Sequence, residues 1–85
     1  MVLHNDMPKL TLSEALRQAR RSIPRNLSEV GESMGATTQA ASRIERDAGR
    51  ANLRTLAKFV RALGGRLIVE IKLLGKDEKT FRGDV

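Results

Sequence analysis

The residues whose types and spacing could do chemistry lie in one stretch, Leu27 to Arg46, which reads LSEVGESMGATTQAASRIER. A short apolar-periodic segment ends at Met34, Gly35 interrupts it, and Thr37 restarts a second segment with a polar, basic outer face. Two helices crossing at a tight turn need small residues at the crossing and apolar residues on their inner sides. Gly31 is small and mid-helix, where glycine costs about 1 kcal/mol relative to alanine. A close approach by the next helix would account for it. Gly35 permits the positive φ of a turn, and Ala41 and Ile44 sit three apart on the inner side of the second helix. A helix held in this way can present its outer side chains to a DNA major groove.

The charge distribution points the same way. The 85-residue chain carries 16 Lys and Arg against 10 Asp and Glu, a formal net charge of +6, which favours polyanionic partners. Arg43, Arg46, Arg50, Arg54, Lys58, Arg61 and Arg66 crowd one stretch that contains only Glu45 and Asp47 as acids. Arg46, Arg50 and Arg54 are candidates for phosphate contact, as are Thr37 and Asn52 at helix starts. The plainer reading of Thr37 and Asn52 is that they do no more than cap their helices. Arg17, Arg20 and Arg21 read as the exposed face of the first helix, and Glu45 with Arg46 as a surface pair of little energetic weight. Phe59 and Phe81 are the only aromatic residues, too few for the stacking platforms that single strands require. Double-stranded DNA is the expected partner.

Other classes of function lack their residues. There is no Ser–His or Cys–His set, no catalytic pair of carboxylates and no phosphate-binding glycine loop, so no enzyme is expected. Gly64-Gly65 reads as a helix stop, because no phosphate-loop lysine follows at the required spacing. With no cysteine there can be no disulfide and no thiolate metal site, and His4 alone cannot anchor a metal. No metal and no cofactor are expected. No secretory segment and no run of about 18 apolar residues appears, which predicts a soluble, cytoplasmic protein without membrane contact.

Four helices must position this stretch. Residues 1–9 lack periodicity, contain Pro8 and read as a flexible N-terminal tail. The first helix is predicted from about Leu12 to Ile23, with a capping box of Thr11 and Glu14 and an apolar stripe of Leu12, Ala15, Leu16, Ala19 and Ile23. Pro24 ends it. Asn26 and Glu29 box the second helix, which buries Leu27, Val30 and Met34 before Gly35 stops it. Thr37 caps the third, Thr38 to about Arg46. After the loop at residues 47–51, Asn52 caps a fourth from Leu53 to Leu63 with Leu53, Leu56, Ala57, Val60 and Leu63 inward.

Beyond Gly64-Gly65 the character changes. Arg66 to Leu74, RLIVEIKLL, alternates with Leu67, Val69, Ile71 and Leu73 on one face, which argues for a strand. The alternative is a short fifth helix. A lone strand has no ladder partner, and the same strand of a second copy would satisfy its backbone. Leu67, Val69, Ile71 and Leu73 are therefore the expected homodimer interface. A chain this short buries only roughly 60–65% of the surface its unfolded form exposes, so a partner subunit would also supply stability. Residues 75–85 are polar, mixed in charge and read as a frayed C-terminal tail.

On Val30, Gly31, Met34, Gly35, Ala41 and Ile44, together with Ser42-Arg43-Ile44-Glu45-Arg46, the chain resembles the Cro/phage-repressor helix-turn-helix superfamily, often called the XRE family. ANLRTLAKFVRALGGRL is similar to that family's fourth helix, and the resemblance covers roughly residues 12–66. Gly31 stands where the family usually has alanine, and Ala41 where it has a bulkier aliphatic residue. The resemblance implies a mainly α fold of four to five helices, with the helix-turn-helix domain over residues 10–65 and one dimerisation strand over residues 66–74. It places the third helix in the major groove, with Thr38, Gln39, Ser42 and Arg43 at base edges. Gln39 could pair bidentately with adenine, Arg43 with guanine, and the Thr38 methyl with thymine.

The layout of helices, double glycine and one strand is similar to the HigA- and HipB-type antitoxins of bacterial toxin–antitoxin pairs. That resemblance implies a repressor which binds an inverted-repeat operator as a homodimer, autoregulates its operon and holds a toxin protein. The alternatives are a stand-alone phage or mobile-element repressor, and a helix-turn-helix module that binds protein.

Overall fold

A computed structural model describes residues 10–85, so the tail expected over residues 1–9, with His4, lies outside the described residues. Four α-helices are followed by a two-stranded antiparallel sheet: α1 (Leu12–Arg21), α2 (Leu27–Met34), α3 (Thr38–Arg46), α4 (Leu53–Ala62), β1 (Ile68–Leu73) and β2 (Lys79–Asp84). A single 3-10 turn, Ala48–Arg50, links α3 to α4. Among the described residues no helix is long and apolar enough to cross a membrane.

Local chemistry sets the helix starts. Thr11 Oγ1 accepts from the Glu14 amide at 3.1 Å while the Thr11 amide donates to the Glu14 carboxylate at 2.8 Å, a closed capping box. The backbone donation from Thr11, then its side-chain bond, holds the Glu14 carboxyl below the usual carboxylate range. Asn26 and Glu29 repeat the box at the start of α2, and Thr37 and Asn52 each cap through a single side-chain bond. Gly35 ends α2 in the left-handed region, φ 72°.

Small residues set the α2–α3 crossing. A Cβ on Gly31 would lie 2.7 Å from the Thr37 carbonyl oxygen, so only glycine admits the turn at this distance. This is the close approach that the mid-helix glycine predicted. Ala41 is fully buried opposite, and Leu16, Val30, Ala48, Leu56, Phe59 and Ala62 complete the buried cluster.

Three expectations about which faces point inward need correction. Phe59, fully buried, is the largest side chain at the centre of the core, although its sequence position marked it only as a scarce aromatic. Leu53, expected inward, is 51% exposed in the first turn of α4, before that helix meets its neighbours. In α1, Leu12 and Ala19 are exposed. The face turned to α3 is Ser13, Leu16, Arg17 and Arg20, because Ser13 and Arg20 find hydrogen-bonding partners there.

The C-terminal expectations change most. β1 pairs in register with β2, Ile68 opposite Asp84 through Leu73 opposite Lys79. The strand is not alone, and residues 75–85 are not a tail. They form a tight turn and the returning strand. A strand seeking hydrogen bonds reaches a segment five residues away at far smaller entropic cost than a separate molecule. Leu67 packs on the helical core and Val69 is half-buried, but Ile71, Leu73 and Phe81 are 55%, 52% and 54% exposed. The hairpin runs clear of the helices, in a body measuring 46 × 21 × 20 Å.

Two substitutions test this packing in urea denaturation. Phe59→Ala should remove about 3–5 kcal/mol, enough to unfold much of so small a domain. Gly31→Ala gains about 1 kcal/mol of helix propensity but meets a backbone carbonyl, where overpacking costs up to about 3 kcal/mol. The expected net effect is destabilisation by about 2 kcal/mol, and a Gly31→Ala variant more stable than the parent would contradict the close crossing.

Candidate nucleic-acid interface

The outer side of α3 carries Thr38, Gln39, Ser42, Arg43 and Arg46, positions that fall on one stripe at helical spacing. The four residues expected at base edges are brought together. With Arg46 and with Leu27 from the first turn of α2 they line one open concavity of about 450 Å³. Thr38, Gln39 and Arg43 are exposed and Ser42 is half-buried. Among the described residues Arg43 forms no ion pair, and Arg46 only a loose, exposed one with Asp47 at 3.6 Å. The stripe therefore presents donors, acceptors and positive charge together.

The expected phosphate contacts divide. Arg46 lines the concavity, whereas Thr37, Arg50, Asn52 and Arg54 lie outside that lining, on the turns that flank α3 and start α4. Thr37 Oγ1 and Asn52 Oδ1 are engaged as caps, accepting from Ala40 at 3.0 Å and Thr55 at 2.8 Å. Their capping role is thus present, and the Thr37 hydroxyl and the Asn52 amide group keep donors for an anion. Arg50 and Arg54 are exposed and form no ion pair among the described residues.

The back of α3 is held by polar contacts as well as by apolar ones. Glu45, expected on the surface beside Arg46, is 4% exposed. It faces α1, where Arg20 Nε donates to Oε2 at 2.7 Å and Arg20 Nη2 to Oε1 at 3.2 Å, with Arg17 Nε 3.6 Å from Oε1. Arg20 is thereby largely covered and not part of a solvated face. The bond to Glu45 raises its pKa further above the ordinary arginine value. Two turns before Arg20, Ser13 Oγ donates to the Arg46 carbonyl at 2.8 Å and accepts from the Ala48 amide at 3.2 Å. This clasp ties the C-terminal end of α3 and the turn after it to the start of α1. No buried side-chain nitrogen or oxygen among the described residues lacks a partner.

Sequence reasoning left one cationic surface unassigned. Arg25, Lys58 and Arg61, with Ser33, Met34, Ala62 and Gly64, line a second concavity of about 410 Å³ between α2 and α4. The two concavities share no lining residue: α2 gives Leu27 from its first turn to one, and Ser33 and Met34 from its last turn to the other. The signal for it was weak. Lys58 and Arg61 stand one turn apart on α4, but Arg25 joins them only through the crossing of α2 over α4.

Glu45→Ala would strand the Arg20 guanidinium in a largely covered position, and loss of one partner of such a pair costs roughly 3 kcal/mol. A double-mutant cycle with Arg20→Ala should return a clear coupling energy in urea unfolding. Strict additivity would show that the pair does not hold α3. No protein-family model matches this chain and no curated protein matches it, so the reading of the surface rests on these side chains.

Proposed function

We propose that this chain is a sequence-specific DNA-binding repressor, in which α2, the turn at Gly35 and α3 act as a helix-turn-helix and α3 enters the major groove. One observation carries the reading. The outer stripe of α3 gathers Thr38, Gln39, Ser42, Arg43 and Arg46 on one accessible surface, while its inner side is locked by Gly31, Arg20 and Ser13. Base reading needs this combination, because side chains on a mobile helix cannot hold bidentate geometry. Gln39 and Arg43 supply the two side-chain types that pair bidentately with adenine and guanine. Arg46, Arg50 and Arg54, with the Thr37 and Asn52 helix starts, supply sequence-independent contacts to phosphate.

The proposal includes a homodimer joined through the C-terminal strand region, with Leu67, Val69, Ile71 and Leu73 at or near the contact. A two-fold axis would set the two copies of α3 one helical turn of DNA apart, about 34–36 Å, on an inverted repeat. The toxin partner stands outside this proposal. The layout that suggested it, helices followed by one lone strand, is not the layout the chain adopts.

Selection from a random duplex library, followed by mobility shifts on selected and scrambled sites, tests the reading. Binding should weaken steeply with salt, log K falling against log[salt] by about 0.9 for each phosphate neutralised. Gln39→Ala and Arg43→Ala should each lose about 1–3 kcal/mol of preference for the selected site. Arg54→Ala should instead weaken selected and scrambled duplexes alike. If preference survives the Gln39 and Arg43 changes together, α3 is not the reading helix.

A further inference from the structure

The hairpin has an open edge, and the parity of its ladder says which residues face it. The Val85 amide donates to the Leu67 carbonyl at 3.2 Å, which extends the β1–β2 register by one pair. Hydrogen-bonded and non-bonded pairs alternate along an antiparallel ladder, so Val69, Ile71 and Leu73 direct their backbone groups to β2. Ile68, Glu70 and Lys72 direct theirs to the opposite edge. Among the described residues no third strand lies there.

The side chains divide the same way between the two faces of the sheet. Leu67 packs against the core and Val69 is half-buried, so the odd-numbered face of β1 is the one turned to the helices. Ile71 and Leu73 continue that face beyond the helical body, and Phe81, directly opposite Ile71, shares it. All three are more than half exposed. An exposed apolar strip beside an open six-residue edge is the arrangement that soluble proteins normally blunt or cover.

We infer that a second copy of this chain covers it, by antiparallel β1–β1 pairing with the two-fold axis at Ile71. The inference rests on the homodimer proposed above and adds the edge and the register. Pairing about Ile71 sets Glu70 against the partner's Lys72, and Lys72 against the partner's Glu70, each as a hydrogen-bonded pair. Centring on Glu70 or on Lys72 would instead oppose two like charges, which is destabilising. Centring on Val69 would leave Glu70 opposite the partner's Ile68 and set Lys72 against the partner's Arg66.

The Ile71 register also disposes of the exposed strip. A two-fold normal to the sheet keeps both helical bodies on the same face. It lays Leu73 directly opposite the partner's Val69, the point where the partner's helical body begins. The two Ile71 side chains meet at the axis, and the result is a four-stranded sheet, β2-β1-β1-β2. Ile71 and Leu73 of each protomer thereby meet the partner's Ile71 and the partner's Val69.

Sedimentation of the full chain with charge-reversed variants tests the register. The parent should be a dimer. Glu70→Lys opposes Lys to Lys twice, and Lys72→Glu opposes Glu to Glu twice. Two opposite-charge pairs are replaced by two like-charge pairs, so either change should weaken the dimer about tenfold or more. An equimolar mixture of the two variants should form heterodimers as tight as the parent, because each reversed charge then meets its opposite. That recovery separates pairing across the axis from loss of the internal Glu70–Arg82 bond at 2.8 Å, which mixing cannot restore. Two monomeric variants that stay monomeric when mixed would overturn the register, and a parent dimer indifferent to both reversals would put the homodimer on another surface. A monomeric parent would overturn both the register and the homodimer, leaving DNA contact by a single α3 to be decided by the mobility shifts.

Discussion

The orientation of α3 depends on a charge taken out of water. Glu45 lies on the inner side of that helix at 4% exposure and is met bidentately by Arg20 from α1. The apolar residues that α3 buries are small. Ala41 is fully enclosed and Ile44 only partly, so hydrophobic burial gives the helix modest affinity for the core and little rotational preference. A fork-shaped guanidinium on a planar carboxylate is directional in a way that methyl groups are not. The Ser13 clasp on Arg46 and Ala48 holds the same C-terminal end and the turn that follows it. Together they set which stripe of α3 faces outward, and any base reading by Gln39 and Arg43 inherits that setting.

Close approach is the second constraint, and it explains the composition of the middle of the chain. With the Thr37 carbonyl 2.7 Å from where a Gly31 Cβ would stand, α2 and the turn before α3 touch through backbone. Nearness of that kind leaves space only for alanine at the crossing, and the volume is made up elsewhere by Phe59 and Leu56. The core is therefore lopsided, bulky under α4 and thin under α3. Polar pinning and tight backbone contact compensate for the thin side. The hairpin adds little to this core beyond Leu67, and its exposed face gives the domain a reason to associate.

The helix starts were legible because a cap is local. Thr11 with Glu14, Asn26 with Glu29, and Thr37 and Asn52 alone each act within three residues, and all four close as their spacing implied. The gathering of Thr38, Gln39, Ser42 and Arg43 was legible for a similar reason, since a helical period puts them on one stripe. Partnerships across the chain were not. Arg20 and Glu45 are 25 residues apart, and each reads by itself as a solvated charge. Neither pattern nor propensity marks a pair until α1 crosses α3. The returning strand was hidden as well, because Lys79 to Asp84 contains one large apolar residue, Phe81, and takes its form from the neighbour it pairs with.

The amino-acid sequence by itself determined the four helices, their caps, the glycine stop and crossing between α2 and α3, and the alternation of β1. Each is a short-range consequence of side-chain size, backbone freedom or hydrogen-bond reach. Only the tertiary structure decided which face of α1 turns inward, that Phe59 is the centre of the core, that Glu45 is buried and paired, and that β1 is answered from within the chain. Those outcomes depend on which distant groups arrive at one place, and the energy of a buried charge or an open strand edge is settled only by what it meets there.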